Sequence, residues 1–261
     1  MTPLELVRVR WDAPGTATER LTRTGTRVAG VGLAALGAAG RLARLRGATV
    51  RDGARERALV LRDVARRILE LHAIELTASG PLPLGPAVLA SNHVSWLDPL
   101  VVASILPCVP ISKVDLSGWP VIGSIARDLG VVFVSRGDPM SGLRVLRLAE
   151  EALAHGLPVL NFPEGTTSTG ASVLPFRKGL FGIAHAARVP VVPIAIAYDP
   201  PELAWVGDDA FLPHWLGLAG ARRARAFVRL GPAILLQAEA RAHDVARAAH
   251  AEVSRLLQER P

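Results

Sequence analysis

The chain is poor in the residues that staple small secreted proteins or carry thiol chemistry: one cysteine, Cys108, occurs in 261 residues, and aromatic residues make up only 5%. A lone thiol has no intramolecular partner and cannot supply the several sulfur ligands of a cysteine-built zinc site. Cys108 sits in an apolar run and is expected to be a small buried hydrophobe rather than a nucleophile. Long apolar runs are also lacking. The longest uncharged stretch before Ile74, Val28 to Gly40, is bounded by Arg27 and Arg41 and diluted by Gly30, Gly32, Gly37 and Gly40. It falls short of the ~20 residues that a helix needs to cross a bilayer. The first residues lack the order of a secretory signal, because Glu5, Asp12 and Glu19 interrupt them. The chain is therefore expected to stay on the cytoplasmic side. Other absences exclude whole chemistries. No Gly-x-Ser-x-Gly elbow occurs, which argues against a serine hydrolase of that type. His72, His93, His155, His185, His214, His243 and His250 are scattered without ligand spacing, so no metal site is expected.

Half of the residues are hydrophobic, with a mean hydropathy of +0.31. The net charge of +7 and the isoelectric point near 11 favour anionic partners. Arg20, Arg23, Arg41, Arg44, Arg46, Arg51, Arg55 and Arg57 crowd both flanks of the Val28–Gly40 stretch. A helix resting shallowly on an anionic membrane surface fits that arrangement. A Gly/Ala-rich helix packed on the core with a solvated basic face is the alternative. Nucleic acid fits less well, since the basic residues lie beside apolar Gly/Ala stretches without an aromatic stacking motif.

Up to about Arg67 the sequence is Ala, Gly and Arg with no strand alternation, and two or three helices outside the main fold are expected. Residues 1–70 are accordingly read as a helical, membrane-associating segment and 71–261 as an α/β domain. Gly30-Val31-Gly32 resembles a dinucleotide fingerprint, but the polar stretch Leu21 to Arg27 cannot be the strand such a fingerprint requires. Pro81, Pro83 and Pro86 mark an extended lead-in. Short apolar runs then alternate with helical patterns. Ala87–Ser91 precedes a helix over Leu97–Leu106, and Val131–Val134 one over Ser141–His155. Pro158–Asn161 precedes a helix over Gly179–Ala187, and Val191–Ala197 follows. Ala224–Leu230 reads as a late strand and Ala238–Gln258 as a closing helix. That alternation predicts a mostly parallel central sheet with helices on both faces.

The most informative segment is Asn92-His93-Val94-Ser95-Trp96-Leu97-Asp98, directly after a strand and so at the sheet edge where open α/β folds place their sites. On one continuous helix, residues five apart stand about 140° from each other and could not meet. A turn leading into a helix start brings His93 and Asp98 together, so that Asp98 can fix the imidazole tautomer while the other ring nitrogen takes a proton. Phe162-Pro163-Glu164-Gly165-Thr166-Thr167-Ser168 also follows an apolar strand and leads to Phe176-Arg177-Lys178-Gly179. Such a turn can offer backbone N–H groups to an anion. Lys113 and Arg136 each stand at the expected end of a strand.

Asn92-His93 with Asp98, Lys113 with Gly123 and Arg136, Phe162 to Thr166, and Val189-Pro190-Val191-Val192-Pro193-Ile194 occur in the order and spacing of the four motif blocks of the glycerolipid acyltransferases. From about Ile74 to Ile196 the chain resembles that family, in particular its 1-acyl-sn-glycerol-3-phosphate (lysophosphatidic acid) acyltransferases. The resemblance implies transfer of a fatty acyl group from an acyl-carrier-protein or coenzyme A thioester to the free hydroxyl of a lysophospholipid acceptor. No cofactor would be needed and no covalent intermediate would form. His93 would be the general base and Asp98 its orienting partner. Arg136 and Glu164-Gly165-Thr166 would bind the acceptor's glycerol phosphate, with Lys113 a further cation. Lys178, entering the next helix, could reach the same phosphate. A lyso-ornithine lipid is the alternative acceptor, and a non-catalytic lipid- or carrier-binding protein is the reading from another class. The enzyme would sit at the cytoplasmic face of the membrane as a peripheral or monotopic protein. One departure is Asp115, in Lys113-Val114-Asp115-Leu116, where the family commonly has Glu.

Overall fold

The computed structural model describes residues 15–45, 50–113, 122–135, 138–207, 209–235 and 241–259. Two helices come first, α1 (Ala17–Ala43) and α2 (Val50–Leu71), followed by β1 (Ile74–Ser79), β2 (Val88–Ser91), α3 (Asp98–Ile105) and β3 (Val109–Lys113). Then come α4 (Ile122–Asp128), β4 (Val132–Val134), α5 (Pro139–Ala154), β5 (Val159–Asn161), α6 (Phe181–Ala186) and β6 (Val191–Asp199). A short 3-10 turn at Pro201–Leu203, α7 (Phe211–Gly220), β7 (Ala224–Leu230) and α8 (Ala242–Gln258) complete the order.

The strands form one sheet in the order β1-β7-β6-β2-β5-β3-β4. Only the β6–β7 pairing is antiparallel, so the expected mostly parallel sheet is present. All four residues of β2 are buried, the signature of a strand covered on both faces. One core packs α2 and α3 against one face: Val60, Leu61, Ala65 and Leu69 meet Leu97, Val101 and Val102 over Leu89, Leu160 and Ile194. The other core sets Val145, Ala149 and Leu153 of α5, Phe181 and Ile183 of α6, and Val245 and Ala249 of α8 under Val88, Val159 and Val191. Each fully buried Val, Leu, Ile or Phe contributes roughly 1.5–3 kcal/mol before entropy is counted. Cys108 is a core residue, and burial pushes its thiol up to about 12, which removes it as a nucleophile near neutrality.

The first two helices differ from one another. α2 is not outside the main fold, as its arginine-rich sequence suggests, because its apolar residues at positions 58, 61, 65 and 69 face α3 and the sheet. The exposed Arg55, Arg57, Arg66 and Arg67 flank that stripe, and Arg66 donates to the Ser104 carbonyl at 2.8 Å. α1 opens with a capping box, in which Thr16 and Glu19 bond each other's amides. It lies against α2 and α7 yet leaves Leu21, Leu33 and Leu36 about 70% exposed. Among the described residues no helix is long and apolar enough to cross a membrane. Three elements escape the sequence reading: edge strand β1, short α4, and α7, whose Pro213 sits in the first turn, where a missing N–H does no harm. The closing helix starts at Ala242 rather than Ala238, and residues 238–240 lie outside the described residues.

Candidate active site

β2, β3, β4 and β5 run parallel, so their carboxyl ends share one edge of the sheet, and the chain leaves β2 there at Asn92. The Asn92 amide continues the strand pairing by side chain. Its Nδ2 donates to the Ile196 carbonyl at 2.9 Å and its Oδ1 accepts from the Ile196 N–H at 2.8 Å. The turn then folds back on Asp98, the first residue of α3, which is fully buried. Asp98 Oδ2 accepts from His93 Nδ1 at 2.7 Å, from the Val94 N–H at 2.6 Å and from the Ser95 N–H at 2.9 Å. Asp98 Oδ1 accepts from the Tyr198 hydroxyl at 2.6 Å. A buried carboxylate with four donors is held in one orientation. With Nδ1–H committed to Asp98, Nε2 is the ring nitrogen left to accept a proton. The His93 side chain is 19% exposed, enough for an incoming hydroxyl to reach it.

The turn after β5 closes on the same histidine. The Phe162 ring stacks on the imidazole at 4.2 Å between centroids and 21° between planes. The Ser168 N–H donates to the His93 carbonyl at 2.8 Å, and the His93 N–H donates to Glu164 Oε1 at 3.4 Å. Glu164 is buried, and among the described residues its Oε2 has no hydrogen-bond partner. Burial pushes the Glu164 carboxyl up to about 7; the Asp98 charge adds to this, while the His93 and Leu174 amides and the Ser168 hydroxyl oppose it. Gly165 turns the chain at φ +75°, and an added Cβ would stand 3.0 Å from the Arg177 guanidinium carbon. Thr166 is exposed.

Of the two adjacent cations ahead of α6, Arg177 is the one laid against this turn: its N–H donates to the Pro163 carbonyl at 3.0 Å and its guanidinium covers Gly165. It makes no side-chain hydrogen bond or ion pair among the described residues. Lys178 is exposed one residue further on. The Lys113 backbone ends β3 at the same sheet edge, while its side chain, Arg136 and Asp115 lie outside the described residues. The structure thus brings together His93, Asp98, Glu164 and Gly165. It adds Tyr198, Phe162 and Arg177, which the sequence reading leaves without assigned roles. Phe162 and Arg177 do fall within the quoted motif segments, and that proximity is the one available signal for them. A cleft of about 370 Å³ between Arg55, Leu59, Arg62, Leu84, Leu106 and Leu157 lies where β2, β3 and β5 begin, so it belongs to the opposite edge.

A His–Asp pair with one ring nitrogen left over, on such a sheet edge and flanked by the turn after β5, can move a proton. The comparisons with known proteins give the family. The family model described as Acyltransferase matches residues 73–197. The lyso-ornithine lipid O-acyltransferase of Brucella abortus is 35% identical over 214 residues, which takes in 74% of this chain and 79% of that protein. The chain belongs to the acyltransferase family. The lyso-ornithine lipid O-acyltransferase of Pseudomonas aeruginosa is 34% identical, over 63% of this chain and 65% of that protein, so the chain spans just under two thirds of that relative. The 1-acyl-sn-glycerol-3-phosphate acyltransferase of Neisseria meningitidis is 34% identical over 55% of this chain and 56% of its own length. The fold matches the crystal structure of the 1-acyl-sn-glycerophosphate (LPA) acyltransferase PlsC from Thermotoga maritima. The TM-score is 0.70 at 18% identity, over 93% of this chain and 96% of that one.

Proposed function

We propose that this protein transfers a fatty acyl group from a thioester, on acyl-carrier protein or coenzyme A, to the free hydroxyl of a lysolipid. The observation that carries this reading is the 2.7 Å bond from His93 Nδ1 to the buried Asp98, which leaves Nε2 as a base at an accessible position. Nε2 takes the hydroxyl proton as the acceptor oxygen attacks the thioester carbonyl. Collapse of the tetrahedral intermediate expels the thiolate, which recovers the proton from the imidazolium. Asp98 stabilises the imidazolium in both steps, and no acyl group passes through the protein.

Lyso-ornithine lipid is the favoured acceptor. The relatives named for it align over up to 214 residues, well beyond the segment that the Neisseria 1-acyl-sn-glycerol-3-phosphate acyltransferase shares, 146 residues. An ornithine headgroup carries a carboxylate, which the exposed Arg177 over the Gly165 turn suits. Lysophosphatidic acid is the second reading, favoured by the pairing of Arg177 with Lys178, two cations suited to a phosphate monoester. The exposed leucines of α1 support a peripheral attachment to the membrane that delivers both lipids.

Transfer of labelled acyl groups from each thioester to each lysolipid, in detergent, tests this. Product with lyso-ornithine lipid is expected, with a loss of at least ~10²-fold in a folded His93→Ala variant. Product with lysophosphatidic acid alone would establish the second reading. Failure with both acceptors would overturn acyl transfer to these lipids.

A further inference from the structure

β6 grips the catalytic turn at both ends. Before His93, the Ile196 backbone pairs with the Asn92 side chain; after it, Tyr198 reaches Asp98. The two bonds from Tyr198 and His93 fall on different oxygens of one carboxylate. Three N–H donors converge on Oδ2, which anchors that oxygen, but the terminal torsion of an aspartate is broad and a single anchored oxygen leaves the carboxylate plane free to rock. The phenol supplies the second point that fixes the plane. It is also the only donor to Oδ1 among the described residues. Burial, then the Asp98 charge and the hydrogen bond itself, raise the Tyr198 phenol well above its ordinary value, so it stays protonated and remains a donor.

We propose that Tyr198 is a positioning residue for acyl transfer: by donating to Asp98 Oδ1 it fixes the carboxylate plane and shares its charge, so that Oδ2 holds His93 with Nε2 presented to the acceptor hydroxyl. The assignment rests on the reading of His93 as the general base. Tyr198 touches neither substrate. Its removal therefore slows turnover and leaves the binding of both substrates alone.

Tyr198 is the only tyrosine in the chain, which makes the test unusually clean. In the full-length protein, Tyr198→Phe should lower kcat by roughly 10- to 100-fold, the scale of a lost hydrogen bond to a charged group, with KM for donor and acceptor unchanged. Placed on His93→Ala, the same substitution should cost nothing further, because the groups act as one unit. The proton resonance of the His93–Asp98 hydrogen bond should move in Tyr198→Phe. A ring-fluorinated tyrosine, which keeps the shape and strengthens the donor, should shift both that resonance and kcat. Wild-type kcat in Tyr198→Phe, or an equal loss with and without His93, would reduce Tyr198 to a packing residue. Should Tyr198→Phe fail to fold, unchanged kcat and resonance in the fluorinated protein would overturn the proposal. Full activity in His93→Ala would instead overturn the general-base reading and take this role with it, an outcome distinct from a His93-dependent protein indifferent to Tyr198.

Discussion

The turn at 92–98 and the turn at 162–168 each follow a buried parallel strand, and they meet at His93, yet their buried carboxyl groups are treated oppositely. In the first, the buried carboxylate of Asp98 has four donors and the buried Asn92 amide is paired in both directions. In the second, the buried carboxyl of Glu164 has one unpartnered oxygen and a long bond from the His93 amide, beside an exposed cation and an exposed Thr166. A carboxylate bonded at both oxygens has one geometry, which is what a base's partner needs. An unsaturated one retains bonding capacity that an incoming headgroup can use. On the proposed reading, the difference separates the half of the site that would perform the chemistry from the half that would receive the acceptor.

The comparison breaks most visibly at Asp98. Asp98→Asn should lower turnover by about 10³- to 10⁴-fold, since the amide can neither enforce the tautomer nor stabilise the imidazolium. Steady-state rates on protein shown to be folded by circular dichroism check this, and a loss below tenfold would mean that the carboxylate is structural. Glu164 gives the next effect, on stability. Its folded value of about 7 stands above the ordinary 4.5, so between these pH values the folded state holds more protons than the unfolded one. Stability should therefore fall as pH rises from about 4.5 through 7, by up to about 3 kcal/mol, and level off above. Denaturant titrations across that range should show the slope in wild type and its absence in Glu164→Gln.

Smaller effects sharpen the receiving half. Gly165→Ala puts a side chain at φ +75° against the Arg177 guanidinium and should cost about 1–2 kcal/mol in thermal unfolding. Arg177→Ala should raise KM for the anionic acceptor about tenfold with kcat nearly constant, and the wild-type KM should rise with salt. Equal behaviour of Lys178→Ala would mean that both cations reach the headgroup. Least of all, Leu33→Glu should leave stability within about 0.5 kcal/mol, because the side chain is solvent-exposed, while weakening flotation with anionic vesicles. Unaltered flotation would remove α1 from the membrane-facing surface.

Much of the catalytic half is legible because it is local. His93 and Asp98 are five residues apart, and the only structural inference required is that a turn, not a helix, joins them. The alternation of strand and helix after β2 is read from apolar runs whose burial on both faces leaves little choice of partner. Contacts between distant segments are hidden. Tyr198 is 100 residues from Asp98, and its place on β6 depends on β6 lying next to β2, a strand order that no local pattern reveals. Edge strand β1 is defined by β7, which follows it by some 150 residues. The choice between Arg177 and Lys178 rests on one backbone bond, from Arg177 to Pro163. In α2 the buried stripe of Ala58, Leu61, Ala65 and Leu69 is masked in composition by the arginines around it.

The buried Arg27 of α1 sends Nη1 to the carbonyls of Leu218, Ala219 and Ala221 at the end of α7, with Arg222 approached by Nη2. The opposite end of α7 carries His214, which accepts the indole N–H of Trp96 inside the catalytic turn at 3.1 Å. A leucine-faced helix on the outside and the turn that holds His93 on the inside are therefore joined by hydrogen bonds near the two ends of α7. On the proposed reading, a change that loosens α1 from α7 should reach that turn as well as the membrane-facing surface.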